Sequence, residues 1–449
     1  MRYTSILLLS LACICGAASA RPILERYVTQ GLQSNIVLQQ KTISLEKAQL
    51  ALRTASSLFL PTAEAEVAYT SGEGGRSIAI PVGTIINPVY QTLNLLTGSD
   101  AFPTIANVKE DFLPHNFYDA RIRTSMPLLN TDIIMNRKIE TEHVQLQECE
   151  VAAYKRELVM EIKIAYFNYL SARDAVEIYR SALSTAVEAK RVTESLVRNG
   201  AGLSVYVLRA DTELESLKGH VLEAEGGVNS ARMYFNFLLN RTLDSAIDTL
   251  DDAQWEDLIG RTDADSAGAR EELGMLEHAL VMSSANETMK RLAWMPKVSA
   301  FLDLGMQDKD WAMTGGSRYY QFGVQVSFPL FEGCRTAIAI DEATLSTRAV
   351  ELEFEQTRQQ VSMMQRIRTT ELATARQHFA SATAQVKAAE QYHRLIDKGY
   401  AQGVNSFIET IDARSQLTTA RLSSAMKKYQ VCQAQARYER EMASSTINY

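Results

Sequence analysis

Proline, cysteine, long apolar runs and clustered positive charge are all scarce in this sequence, and each shortage closes off a class of protein. Only 9 prolines occur in 449 residues, beside abundant Ala, Glu, Gln, Leu and Arg, a composition that favours long helices. Five cysteines are present, and beyond residue 20 only Cys149, Cys334 and Cys432 remain. An odd, widely spaced set is not a disulfide framework. No stretch of 18 uncharged apolar residues follows residue 20, so entry into a membrane would require a β-barrel rather than a spanning helix. The 46 Lys and Arg are outnumbered by 53 Asp and Glu, for a formal net charge of −7. Without basic clusters the chain is poorly suited to phosphate neutralisation, which excludes a nucleic-acid partner. The six histidines (His115, His143, His220, His278, His378, His393) show no metal-ligand spacing, and no Walker loop or G-x-S-x-G elbow occurs. Neither an enzymatic constellation nor a cofactor or metal site is expected.

The first residues read as a secretory leader. Arg2 gives the charged end, Ile6 to Ile14 a short apolar run, and Ala18-Ser19-Ala20 a cleavage site before Arg21. Cys13 and Cys15 lack the Leu-small-small context of bacterial lipoproteins, so processing after Ala20 is expected rather than lipidation.

An internal repeat organises the remainder. Ser125-Met126-Pro127-Leu128-Leu129 is matched by Ser327-Phe328-Pro329-Leu330-Phe331, an offset of 202. Gly200 and Ala210 are matched by Gly403 and Ala413, an offset of 203. Leu60-Pro61 and Met295-Pro296 form a third pair at an offset of 235, so the first copy holds about 33 more residues between its strand-like segments. Each copy has two alternating segments. Val298, Ala300, Leu302, Leu304 and Met306 oppose Ser299, Phe301, Asp303 and Gly305. Tyr320, Phe322, Val324, Val326 and Phe328 oppose Gln321, Gly323, Gln325 and Ser327. In the first copy Ala65, Val67 and Tyr69 oppose Glu64, Glu66 and Thr70, and Tyr118, Ala120 and Ile122 oppose Asp119, Arg121 and Arg123. This period of two suits membrane-barrel strands near 62–72, 117–126, 297–307 and 318–328, and equally a half-exposed soluble sheet.

Each copy also carries coiled-coil seams. Ile162, Ala165, Tyr169, Ala172, Val176, Tyr179, Leu183 and Ala186 keep a 3-4 spacing, as do Leu372, Ala375, Phe379, Ala382, Val386 and Ala389. Proline is absent from 131–199 and 335–402, and a continuous helix over either would be roughly 100 Å long. Each ends in a Gly-bearing turn and returns as a second helix. The chain thus divides into a leader (1–20), a first repeat (21–240, with strand pair 62–126 and helical hairpin 131–240), an acidic linker (241–275) and a second repeat (276–449, with strand pair 297–328 and hairpin 335–443). Residues 72–116 show no clear period and are expected as a long outer loop. Gly226-Gly227 within a helical stretch reads as a tolerated interruption, and His393 on a seam as a packed histidine.

The leader, the two-fold repeat, the strand pairs and the long hairpins together resemble the TolC-type outer-membrane efflux factor family. The resemblance covers nearly the whole chain after the leader. It is carried by Leu32 and Asn35 before Leu60-Pro61, by the Met126-Pro127-Leu128 and Phe328-Pro329-Leu330-Phe331 joints, by the tips Asn199-Gly200-Ala201-Gly202-Leu203-Ser204 and Tyr400-Ala401-Gln402-Gly403-Val404-Asn405, and by the return helices opening Val207-Leu208-Arg209-Ala210 and Thr410-Ile411-Asp412-Ala413. It implies a mainly α fold with a β-barrel portion, a channel-tunnel assembled as a homotrimer. Each subunit would give four strands to a twelve-stranded barrel in outer-membrane lipid and long coiled-coil hairpins to a periplasmic tunnel. It further implies a passive duct for a tripartite efflux or export system, supplied by an inner-membrane transporter through a periplasmic adaptor (membrane fusion protein). The duct of a type I protein secretion system is an alternative, and a lumen-less exported helical rod a third.

The resemblance also implies sites. The hairpin tips would dock the adaptor through Gly200, Gly202, Leu203, Ser204, Gly403 and Val404. The family carries two acidic residues six and nine positions past its second tip glycine, which places a periplasmic gate at Glu409 and Asp412, with Tyr400 matching a tip tyrosine. Two departures stand out: the family's locking arginine position holds Asn405, and its acidic partner position holds Tyr206. Aromatic packing of Tyr206 is the expected substitute.

Overall fold

The computed structural model describes residues 23–113, 115–249, 268–312 and 314–443. The expected leader and most of the acidic linker lie outside the described residues. Helices α1 (Ile23–Ser34) and α2 (Ile36–Ser57) are followed by β1 (Thr62–Thr70), β2 (Ser77–Ile80), α3 (Val82–Thr97), β3 (Val108–Asp111), β4 (Phe117–Leu129), α4 (Thr131–Arg198) and α5 (Ser204–Leu238). Then come α6 (Glu271–Arg291), β5 (Lys297–Lys309), a 3-10 turn, β6 (Arg318–Ser327), α7 (Arg335–Ala401) and α8 (Phe407–Met442). Helices α4 and α7 are unbroken over 68 and 67 residues, as the absence of proline permits. Helix α5 runs through Gly226 and Gly227, and a Cβ at either would meet nothing within 4 Å. The glycines therefore do not interrupt the helix and serve no close packing among the described residues.

The contacts divide the chain into two compact units, residues 1–49, 142–281 and 348–449 in one, and 50–141 with 282–347 in the other. The first is helical. Its core gathers Tyr27, Tyr166, Phe167, Phe235 and Tyr429 with Leu158 and Ile162. Asn35, between α1 and α2, is buried: its Oδ1 accepts the Leu38 N–H at 3.0 Å and its Nδ2 donates to the Leu238 carbonyl at 3.1 Å. A buried polar side chain is affordable only with such partners. Tyr429 donates to Asp174 at 2.5 Å, and burial with this bond drives its pKa upward. Burial likewise pushes the Cys432 thiol up to about 12, so it packs as a small apolar group.

The second unit is a four-stranded antiparallel sheet ordered β1-β4-β5-β6, with a two-stranded β2-β3 ribbon. The expected loop at 72–116 instead contains β2, α3 and β3. Helix α3 has no charged residue and holds Pro88 near its centre. What fixes it is non-local: Asn87 and Asn94 exchange side-chain hydrogen bonds of 2.8–3.0 Å with the backbone of Ile105 and Phe102.

Candidate functional site: a two-faced sheet and two hairpin tips

The strand register sorts side chains into alternating rows. Ala65, Ile122, Leu304 and Tyr320 lie side by side across all four strands, and the next row is Glu64, Arg123, Asp303 and Gln321. One face is apolar and open: Ile122, Leu304, Tyr320, Phe322, Val324 and Val326 are each 53–79% exposed. The other is charged and internally paired. Arg123 grips Asp303 through two hydrogen bonds, at 2.8 and 2.6 Å, and the Asp303 side chain is only 1% exposed. Arg121 bridges Glu66 at 2.7 Å and Asp119 at 3.3 Å, and Tyr319 donates to Asp119 at 2.7 Å. Phe301 breaks the polar pattern of this face. Its ring covers Gly323, where a Cβ would come within 2.5 Å of it, and the Arg123 guanidinium sits 5.2 Å from its centroid. At one end of the sheet Trp311 stacks on Tyr118 and Tyr69, with centroids 5.0 and 6.0 Å apart. Bands of exposed apolar residues flanked by aromatics, opposite a polar face, suit a strand set in lipid. A soluble sheet would cover that face.

The two hairpin tips are built alike. Gly200 has φ +71° and Gly403 φ +72°, the left-handed conformation that glycine adopts without strain. At the first tip Gly200 N–H donates to Val197 and Ala201 N–H to Leu196; at the second Gly403 N–H donates to Tyr400 and Val404 N–H to Gly399. Both are Schellman closures, satisfying the last carbonyls of α4 and α7. Gly202 packs tightly, since a Cβ there would lie 3.2 Å from Leu196 and Val197. Ser204 opens α5. The tips are greasy: Leu203, Val205, Leu208, Val404 and Ile408 are 57–78% exposed. Val205 and Ile408 escaped the sequence reading, and Leu208 entered it only as part of the return helix, although each lies within one or two turns of a tip glycine.

The gate candidates share an exposed face of α8, three residues apart. Glu409 is engaged locally. Its Oε2 accepts the Ser406 N–H at 2.6 Å and lies 3.4 Å from Asn405 Nδ2, while Ser406 Oγ accepts the Glu409 N–H at 3.3 Å. The Ser406 backbone bond, with the Ser406 hydroxyl and Asn405, holds this carboxyl below the usual glutamate range. This is a capping box, and the S-x-x-E spacing that announces it was readable in the sequence. Among the described residues Asp412 accepts only from Gln416, at 2.7 Å.

Asn405 folds against α7 so closely that a Cβ on Gly399 would fall 1.8 Å from its Oδ1. Tyr206 and Tyr400 both pack on Phe407, with centroids 5.2 and 6.1 Å away, in a cluster with Ala210 and Ile411. The two hairpins are therefore joined next to their tips by aromatic contact, with Phe407 at its centre. One turn further, Arg414 of α8 pairs with Glu213 of α5 at 3.3 Å. Burial outweighs the arginine and raises the Glu213 pKa.

A sheet with one lipid-compatible face, in a chain whose other elements are helical hairpins of this length, defines a channel-tunnel protein of the outer membrane. Residues 265–440 match the family described as "Outer membrane efflux protein". The chain is 21% identical over 356 residues to the alkaline protease secretion protein AprF of Pseudomonas aeruginosa, covering 74% of this chain and 72% of that one. It is 21% identical over 405 residues to the probable efflux pump outer membrane protein SepC of Pseudomonas putida, covering 89% and 78%. The fold matches the outer-membrane channel OprN with a TM-score of 0.75 at 17% identity, over 94% of this chain and 90% of that one. The chain thus shares the outer membrane efflux protein pattern over residues 265–440 and the fold of solved outer-membrane channels, and it is an outer-membrane duct of an efflux or secretion system, reaching into the periplasm.

Proposed function

We propose that three copies of this chain close one twelve-stranded barrel and serve as a passive duct in a tripartite efflux system. The observation that carries this is the pair of free sheet edges, β1 and β6, on a sheet whose outer face is apolar. Unpaired backbone N–H and C=O groups are untenable in hydrocarbon, so β6 of one copy has to pair with β1 of the next until the sheet closes. The charged face, with Arg123–Asp303 and Arg121–Glu66, then lines water. Energy and cargo come from an inner-membrane pump through a periplasmic adaptor, and the adaptor docks on the exposed apolar tips at Leu203 and Val404, with Gly200, Gly202, Ser204 and Gly403 shaping the turns. Glu409 and Asp412 form rings of carboxylates at the periplasmic mouth, and the Tyr206–Tyr400–Phe407 cluster takes the place of the family's arginine contact in holding the mouth closed. The similarity to AprF, named for protease secretion, favours a second reading in which the cargo is a protein. Native mass spectrometry of the protein extracted from outer membranes tests the assembly. Three copies are expected, and a detergent-independent monomer would refute it.

A further inference from the structure

A cavity of about 890 Å³ opens between the two helical hairpins, walled by α4, α5, α7 and α8. Its lining is basic in a chain that is acidic overall. Arg209, Lys387, Arg394, Arg414 and Arg421 line it against two carboxylates, Glu213 and Glu390. Both carboxylates are already engaged, Glu213 by Arg414 at 3.3 Å and Glu390 by Arg421 at 2.9 Å. Arg209, Lys387 and Arg394 make no ion pair or hydrogen bond among the described residues. They come from both hairpins, Arg209 from α5 and the other two from α7. Arg414 is the buried member: its side chain is 12% exposed and its Nε is enclosed without a partner. His393 is spoken for by Asp397 at 3.4 Å, and His220 stacks on Tyr179.

We infer that this cavity is a binding site for a small multivalent oxyanion, held by Arg209, Lys387, Arg394 and Arg414, which ties the first hairpin to the second. Five cations against two carboxylates around one space call for more than one negative charge, and guanidinium forks match carboxylate and phosphate oxygens. A chloride ion would leave most of the space and most of the donors unused.

The test is isothermal titration of the purified full-length protein in detergent with citrate and, separately, inorganic pyrophosphate, each at constant ionic strength set with sodium chloride. Saturable binding of at least one is expected, and the tighter of the two identifies a carboxylate or a phosphate source. The Lys387→Gln, Arg394→Gln double variant changes two exposed side chains without partners, so its fold and assembly should persist, as circular dichroism and native mass can verify. It should bind at least about tenfold more weakly, as expected for lost charged hydrogen bonds. Arg358→Gln, an exposed cation outside the cavity, should leave binding unchanged. Absence of saturable heat with both probes overturns the inference. So does a double variant that binds like the parent, or an Arg358→Gln effect as large as that of the double variant.

Discussion

Glu409 and Ser406 close a reciprocal pair at the second hairpin tip, the carboxylate accepting the serine N–H at 2.6 Å while the serine hydroxyl accepts the glutamate N–H at 3.3 Å. A proposed gate acid is thus also the cap of the helix that bears it. Its pKa is lowered by these bonds. A lowered carboxyl pKa contributes stability that is present above the unfolded value and is lost as pH falls through the folded one. Protection of residues 406–411 against hydrogen exchange, corrected for the intrinsic pH dependence of amide exchange, should therefore be high at neutral pH and fall on acidification through the carboxylate range. Glu409→Gln should exchange faster at neutral pH and respond less to acid. Equal pH responses in the two proteins would show that the cap is not made.

Among the described residues Asp412 makes no such backbone contact, which separates the gate role from the capping role. In bilayer recordings, Asp412→Asn should lessen block by multivalent cations while tip exchange stays as in the parent. Glu409→Ala with Asp412→Ala should raise conductance as well as weaken block. A double variant blocked and conducting like the parent would place the gate elsewhere.

Much of this was legible in the sequence, for identifiable reasons. A helix without proline over 131–199 needs no tertiary help to be recognised, and strands 62–70, 117–129, 297–309 and 318–327 fall close to their alternating segments. The rest depends on distant partners. Helix α3 has no charge pattern and carries Pro88, and its Asn87 and Asn94 bonds to Ile105 and Phe102 have no local signature. Phe407 lies next to the noted tip residues, yet its contact with Tyr206 spans some two hundred positions. Arg414 and Glu213 are equally remote in sequence. The capping box at Ser406 and Glu409, by contrast, is local and readable from its S-x-x-E spacing.

The two faces of β6 make opposite predictions one residue apart. Val324 is 55% exposed on the apolar face, and Gln325 pairs across to Ser299 on the polar one. Val324→Asp places a charge in lipid in every copy, at a cost on the order of 2 kcal/mol each, and should block membrane assembly. Gln325→Asp should assemble normally. The yield of heat-resistant oligomer from outer membranes checks this, and equal yields would argue for a soluble sheet.

Gly403 sits at φ +72° with nothing within 4 Å of its missing Cβ, so space does not exclude a side chain there. Gly403→Val imposes backbone strain of about 1–2 kcal/mol and adds bulk at the docking surface. Export should fail while the oligomer still forms. Normal export by this variant would leave the glycine as a turn residue only.

Copies of this chain are expected to form a conducting duct through a lipid bilayer. The most direct measurement is planar-bilayer recording of the purified, unmodified protein. Discrete, long-lived unitary conductance steps, reduced by multivalent cations added from one side, are the expected result. A protein that leaves the bilayer silent, or that stays in solution without detergent, would contradict it.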